Sequence, residues 1–269
     1  MLNPELKLNK KLFDEDVEQI PIRNGFGEGL LAAAEANPQV VGLCADLMES
    51  TQMHLFREKF PNRFIELGVS EQNLASVGSG LAAMGKIPFI SSYAVFSPGR
   101  NWEQIRTTIC YNNQPVKIAG SHAGVSVGPD GGSHQALEDI ALARVLPRMV
   151  VISPCDAIEA RKATLASVDT KTPVYIRLAR EKTPVMTTKE TPFEIGKAKI
   201  FWESEKPQVG IIATGALLHR ALMAAKKLEK ETEVEVMNLS TIKPLDKKAI
   251  IALAKKAGRI VTVEEHQIA

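Results

Sequence analysis

Short apolar runs alternate along the chain with longer segments in which apolar residues return every three or four positions. VVGLCAD at Val40 to Asp46, IPFISS from Ile87, VKIAGS from Val116, MVVISP from Met149 and PVYIRL from Pro173 have the length and near-continuous hydrophobicity of strands buried on both faces. Between them, Glu71 to Met84, Asn101 to Asn112 and Asp156 to Ser167 carry helical patterns. Strand, helix, strand repetition predicts a parallel α/β sheet with right-handed crossovers. After Ala179 the texture changes to AREKTPVMTTKETPFEIGKAKIFWESEK, rich in Thr, Pro and Lys, and residues 186–206 are expected to form a linker with some strand content. A second alternation follows: VGIIATG at Val209 to Gly215, a helix over 216–231, VEVMNL from Val234, a helix over 246–256 and RIVTVEE from Arg259. The pattern divides the chain into a parallel-sheet α/β domain at 18–185 and a smaller α/β domain at 207–269. The second ends just after a strand with no helix to cover the sheet, so it reads as truncated.

Composition narrows the classes. The chain has 269 residues, 45% hydrophobic and 24% charged, enough to bury a core without staples. A net charge of +2 gives no reason to expect nucleic acid. No stretch approaches the ~18 uncharged apolar residues of a membrane span, and the amino terminus has no signal-peptide core. Cys44, Cys110 and Cys155 form no C-x-x-C pair and read as buried thiols. A cytoplasmic protein is expected.

In an open parallel sheet, ligands bind outside the carboxyl ends of the strands, and several polar segments follow predicted strands. In IELGVSEQNLASVGSGLAAMG, Glu71 opens a helix behind Ser70, where an acid and a cap residue are favoured on helix grounds alone. SSYAVFSPGRNWEQIRTT gathers Tyr93, Phe96 and Trp102, either core or a platform for a flat heterocycle. SHAGVSVGPDGGSHQALED is a long Gly-rich loop holding His122, Asp130 and His134. It lacks a third ligand at metal-site spacing and matches no nucleotide-phosphate motif, so no metal site is expected in this chain. Arg177 and Arg180 follow a strand and Arg23 begins a helix, positions suited to phosphate.

Together these segments resemble the C-terminal half of the transketolase family. ADLMEST, ELGVSEQNL, the aromatic segment, the Gly-rich loop, SPCDAIEA, YIRLAR and NLSTIKPLD follow the family's order from about Arg23 to His266. The resemblance implies a thiamine-diphosphate pyrimidine-binding domain followed by most of a transketolase C-terminal domain. The diphosphate domain's GDG turn with a downstream Asn is missing: Pro129 precedes Asp130-Gly131, and no Asn follows before Ser167. The family likeness therefore implies a split transketolase. An N-terminal subunit would bring the diphosphate site and Mg2+ (or Ca2+), and this chain would form a homodimer within a heterotetramer.

By the same likeness, Glu71 holds the aminopyrimidine nitrogen of the cofactor, Phe96 with Tyr93 lies under the ring, and His122, His134 and Asp130 contact the sugar's hydroxyls. Arg23, Ser50 and Arg180 would hold a substrate's phosphate. The implied reaction is transfer of a two-carbon ketol unit between sugar phosphates. Two alternatives stay open: a 1-deoxyxylulose-5-phosphate synthase-like or 2-oxoacid dehydrogenase β-type subunit, and a non-catalytic stabilising or regulatory partner.

Overall fold

A computed structural model describes all 269 residues, Met1–Ala269. Its strands are β1 (Gln19–Pro21), β2 (Val40–Cys44), β3 (Phe64–Glu66), β4 (Ile87–Tyr93), β5 (Lys117–Ser121), β6 (Val150–Ile152), β7 (Val174–Arg177), β8 (Lys182–Pro184), β9 (Lys199–Trp202), β10 (Val209–Ala213), β11 (Val234–Asn238), β12 (Thr241–Lys243) and β13 (Ile260–Val263). Its helices are α1 (Ile22–Ala36), α2 (His54–Lys59), α3 (Glu71–Ala83), α4 (Trp102–Gln104), α5 (Asp139–Val145), α6 (Ala157–Ser167), α7 (Leu218–Leu228) and α8 (Lys247–Ala257). Three short 3-10 turns, at Val125–Asp130, Gly132–His134 and Gly215–Leu217, fall within loops used below.

The larger sheet has seven strands in the order β12-β6-β7-β5-β4-β2-β3, all parallel except β12, which pairs antiparallel with β6. Alternate side chains of its strands feed two separate cores. Val41, Leu43, Ile90 and Ile118 meet α3 and α5 on one face; Val40, Cys44, Phe89 and Ala119 meet α1, α2 and α6 on the other. Burial on both faces is why these strands read as unbroken apolar runs. Helix α1 lies so close to α6 that a Cβ on Gly25 would overlap the carbonyl oxygen of Ala157. The contact needs glycine and fixes the end of α1 that carries Arg23.

The smaller sheet has the order β13-β10-β11-β9, with β9 antiparallel to β11. Four features depart from the sequence pattern. β9 lies inside the stretch read as a linker, so the second sheet begins before residue 207. β12 joins the first sheet although its chain neighbours belong to the second. Leu6, Leu8 and Leu12, upstream of either expected domain, pack with Phe201, Ile211 and Val236 in the second unit's core. The expected helix over 101–112 is α-helical only at Trp102–Gln104 and continues as a π-helix at Ile105–Tyr111.

Buried polar bonds tie the units together. Asp156 caps α6 through the Glu159 amide (2.8 Å) and accepts from the amide of Met186 (2.8 Å) and from the amide (2.6 Å) and hydroxyl (2.8 Å) of Thr187. Asn238 of β11 donates to Glu159 of α6 (2.9 Å).

Candidate active site

The parallel strands β2, β3, β4, β5 and β7 end on one side of the sheet, and each is followed by residues of the candidate site. After β3, Oε1 of Glu66 accepts from the amides of Asp46 (2.8 Å), Leu67 (3.0 Å) and Gly68 (2.9 Å). This pins the turn, where Gly68 takes a φ of +66°. Helix α3 then opens on Glu71. Ser70 does not cap it as expected: its hydroxyl donates to Leu67 O (2.8 Å), and no side chain caps the helix. Glu71 is 3% exposed. Arg100 Nε lies 3.6 Å from its Oε2, and no donor of the chain is hydrogen-bonded to the carboxylate. Its backbone carbonyl accepts from the fully buried Asn101, which also donates to Ser97 (2.9 and 3.2 Å). The segment after β4, with Tyr93 and Phe96, is thereby laced to the start of α3.

The rings of Tyr93 and Phe96 are parallel within 9°, their centroids 6.2 Å apart. His122 stacks on Tyr93 at 3.8 Å, and His134 meets Phe96 edge-on at 5.4 Å. His122 follows β5 with a φ of +58°, a conformation uncommon outside glycine, and is buried. Both its ring nitrogens are engaged. Arg23 Nη1 stands 2.9 Å from Nε2 and Ser121 Oγ stands 2.9 Å from Nδ1. An arginine only donates, so Nε2 accepts and the proton sits on Nδ1, donated to Ser121. Burial, then the charges of Arg23, Arg180 and His134, push the imidazole's pKa down to about 3, so the ring is neutral at physiological pH.

Arg23 is half-buried. It also donates to the backbone carbonyl of Ser50 (3.2 Å), and its Nε is buried without a partner. Burial first and the charge of Arg180 second lower its pKa, so Arg23 carries a like-charged neighbour together with an unspent donor. Arg180 is paired with Glu181. Asp130, half-buried in the Gly-rich loop, has Oδ2 buried without a donor. His134 uses Nδ1 on Ser133 (2.9 Å). No group of three or more His, Cys, Asp or Glu side chains is placed to hold a metal ion.

Residues 18–186 match the model of the transketolase pyrimidine binding domain, and residues 196–269 match that of the transketolase C-terminal domain. The chain belongs to the transketolase family. It is 42% identical over 250 residues to a Methanocaldococcus jannaschii protein described as a transketolase C-terminal section, covering 92% of this chain and 78% of that protein. It is 35% identical to the 6-deoxy-6-sulfo-D-fructose transketolase subunit SqwH of a Clostridium species, covering 95% and 79%. It is 36% identical to human transketolase, of whose length it spans 40%. A solved structure described as a split gene transketolase, inactive beta4 tetramer, superposes with a TM-score of 0.84 at 42% identity over 92% of this chain and 79% of that one.

Within this transketolase chain, the expected residues fall into two groups. Glu71 is joined to the segment bearing Tyr93 and Phe96; Arg23, Ser50, His122 and Arg180 gather around the two guanidiniums. His122 bridges the two groups: it is hydrogen-bonded to Arg23 and stacks on Tyr93, whose ring also meets His134 edge-on at 6.1 Å. Arg177 is not a neighbour of the phosphate-type cluster: it is buried on Asp139 (2.9 Å). The sequence did not single out Glu66, Asn101 or Ser121. Their partners lie 20 and 30 positions away or depend on a tautomer, and only spacing to a known site residue hinted at them.

Proposed function

We propose that this chain is the pyrimidine-side subunit of a split transketolase, transferring a two-carbon ketol unit between sugar phosphates once paired with a diphosphate-binding N-terminal subunit. The observation that carries the reading is the Glu71 carboxylate, 3% exposed at a helix N-terminus, with Arg100 Nε 3.6 Å from its Oε2 as its only counter-charge and no hydrogen bond from its own chain. A buried polar group in that state is costly unless a ligand supplies the partner. The aminopyrimidine end of thiamine diphosphate fits the need: Glu71 would hold the ring nitrogen, and Tyr93 and Phe96 the ring. The bound cofactor supplies the carbanion stabilisation on which ketol transfer depends. No GDG turn with a downstream Asn exists here, so the diphosphate and Mg2+ (or Ca2+) fall to the N-terminal subunit.

The chain's own groups divide the remaining work. Arg23 and Arg180 bind the substrate's phosphate, with Ser50 alongside. Neutral His122 orients Arg23 by accepting its Nη1 proton. Asp130 accepts a sugar hydroxyl and His134 faces the donor's first carbons; this polar set favours sugars over oxoacids. Two copies of each subunit would form a heterotetramer. We place the protein in the cytoplasm, where three buried free thiols stay reduced; no helix is long and apolar enough to cross a membrane.

The test mixes the chain with the N-terminal subunit, magnesium and thiamine diphosphate, and follows triose phosphate release from xylulose 5-phosphate and ribose 5-phosphate. Turnover is expected only in the mixture. Glu71→Ala is expected to lower it by about 10²–10⁴-fold with an unchanged circular dichroism spectrum. Full activity of the isolated chain, or a Glu71→Ala mixture that turns over normally, contradicts the reading.

A further inference from the structure

The second unit reaches back to grip the Gly-rich loop of the first. Beyond the end of β13 at Val263, Glu265 accepts from Ser126 twice: the backbone amide on Oε1 (2.6 Å) and the hydroxyl on Oε2 (3.2 Å). Gly124 lies beside it at a φ of +87°, and a Cβ there would overlap the Glu265 carboxyl group. The backbone carbonyl of Glu265 accepts from Arg177 Nη2 (2.8 Å), and Arg177 also reaches Ala136 O (3.4 Å) and Asp139 (2.9 Å). The Gln267 amide donates to Leu137 O (2.8 Å).

The loop is thus anchored at its far end by Arg177 and Gln267, and at its near end by Glu265 on Ser126. Between the anchors lie Asp130 and His134. The two bonds at Ser126 join residues 139 positions apart, and the amide bond is the shorter, a charge-assisted contact to a carboxylate. The Gly124 amide on Ala136 O (2.9 Å) also closes the base of the loop, so Glu265 extends the hold two residues further, to Ser126; losing it frees the stretch leading to Asp130, and displacements of about 1 Å at a reacting site are expensive.

We propose that Glu265 is a positioning residue of the transketolase site, holding the near end of the loop so that Asp130 and His134 meet the donor sugar. It acts through Ser126. The inference rests on the function proposed above.

Glu265→Ala and Glu265→Gln in the full chain, assayed with the N-terminal subunit, test it. Glu265→Ala is expected to raise KM for the donor sugar phosphate about tenfold, with half-saturation by thiamine diphosphate unchanged. Glu265→Gln keeps a neutral oxygen for the Ser126 amide and is expected to shift KM only about threefold. Hydrogen exchange on the full chain alone gives a readout that needs no catalysis: the Ser126 amide should exchange at least about tenfold faster in Glu265→Ala, with residues 64–84 unaffected. If the wild-type pair transfers no ketol unit, the functional reading fails while exchange still judges the anchor. Wild-type KM in Glu265→Ala, or a raised KM with unaltered exchange at Ser126, overturns the proposal. If the alanine variant does not fold, Glu265→Gln decides: KM and Ser126 exchange must both rise, and no change in either overturns it.

Discussion

Replacing Asp139 by Asn keeps its volume and removes its charge, and the surroundings set the cost. The carboxylate is 1% exposed, and its Oδ2 accepts from Arg177 Nε at 2.9 Å and from the Tyr175 hydroxyl at 2.7 Å. Arg177 is itself only 7% exposed. A guanidinium does not shed its proton, so in the variant it stays charged in a dry site opposite a neutral amide. Breaking a buried pair by removing one charge costs about 3–5 kcal/mol. Arg177 keeps its bonds to the carbonyls of Ala136 and Glu265, which favours the lower end of that range. With a urea m-value of about 1–3 kcal/mol/M, a loss of about 3 kcal/mol lowers the unfolding midpoint by at least about 1 M. Urea titration followed by far-ultraviolet circular dichroism measures it. The double variant Asp139→Leu with Arg177→Met removes both charges and is expected to recover at least half of the loss. A midpoint shift below about 0.3 M for Asp139→Asn, or a double variant no more stable than the single, refutes the idea that Asp139 neutralises a buried Arg177.

Two further predictions concern the frame around the site. Gly25→Ala is expected to destabilise the chain by about 3 kcal/mol or more, because the added methyl overlaps the Ala157 backbone carbonyl rather than a movable side chain; a thermal midpoint within error of wild type contradicts this. Burial, then the neighbouring Asp156, push the Glu159 carboxyl from 4.5 up to about 7. Between those values the folded protein keeps a proton that the unfolded chain releases, so the stability from this group is complete in acid and fades as pH rises through about 7. Glu159→Gln should flatten the decline in thermal midpoint between about pH 5 and pH 8; an unchanged decline assigns it to other groups.

Much of the first sheet is legible because β2, β4 and β5 are buried on both faces, and apolar runs such as VVGLC and IPFI mark them despite buried Ser91, Ser92 and Lys117. The strand ends are legible too, and Glu71, Tyr93, His122 and Arg180 stand at or shortly after them. What escaped was long-range pairing. Leu6, Leu8 and Leu12 sit among charges with no element period of their own, and only the second unit's core explains them. Arg177 and Arg180 look alike in sequence, yet one is committed to Asp139 and the other stands near Arg23. The engagement of both His122 nitrogens depends on Arg23, 99 positions upstream. The π-helix at Ile105–Tyr111 carries a composition that suits an ordinary helix equally well.

β12 borders the first sheet, yet it is synthesised only after β7 and all of β8 to β11. Until then β6 presents a raw margin of unpaired amides and carbonyls, open to any passing strand during translation. Anyone trimming this protein to its pyrimidine-binding part at residue 186 would recreate that immature margin permanently. A fragment meant to stay monodisperse should run past Lys243.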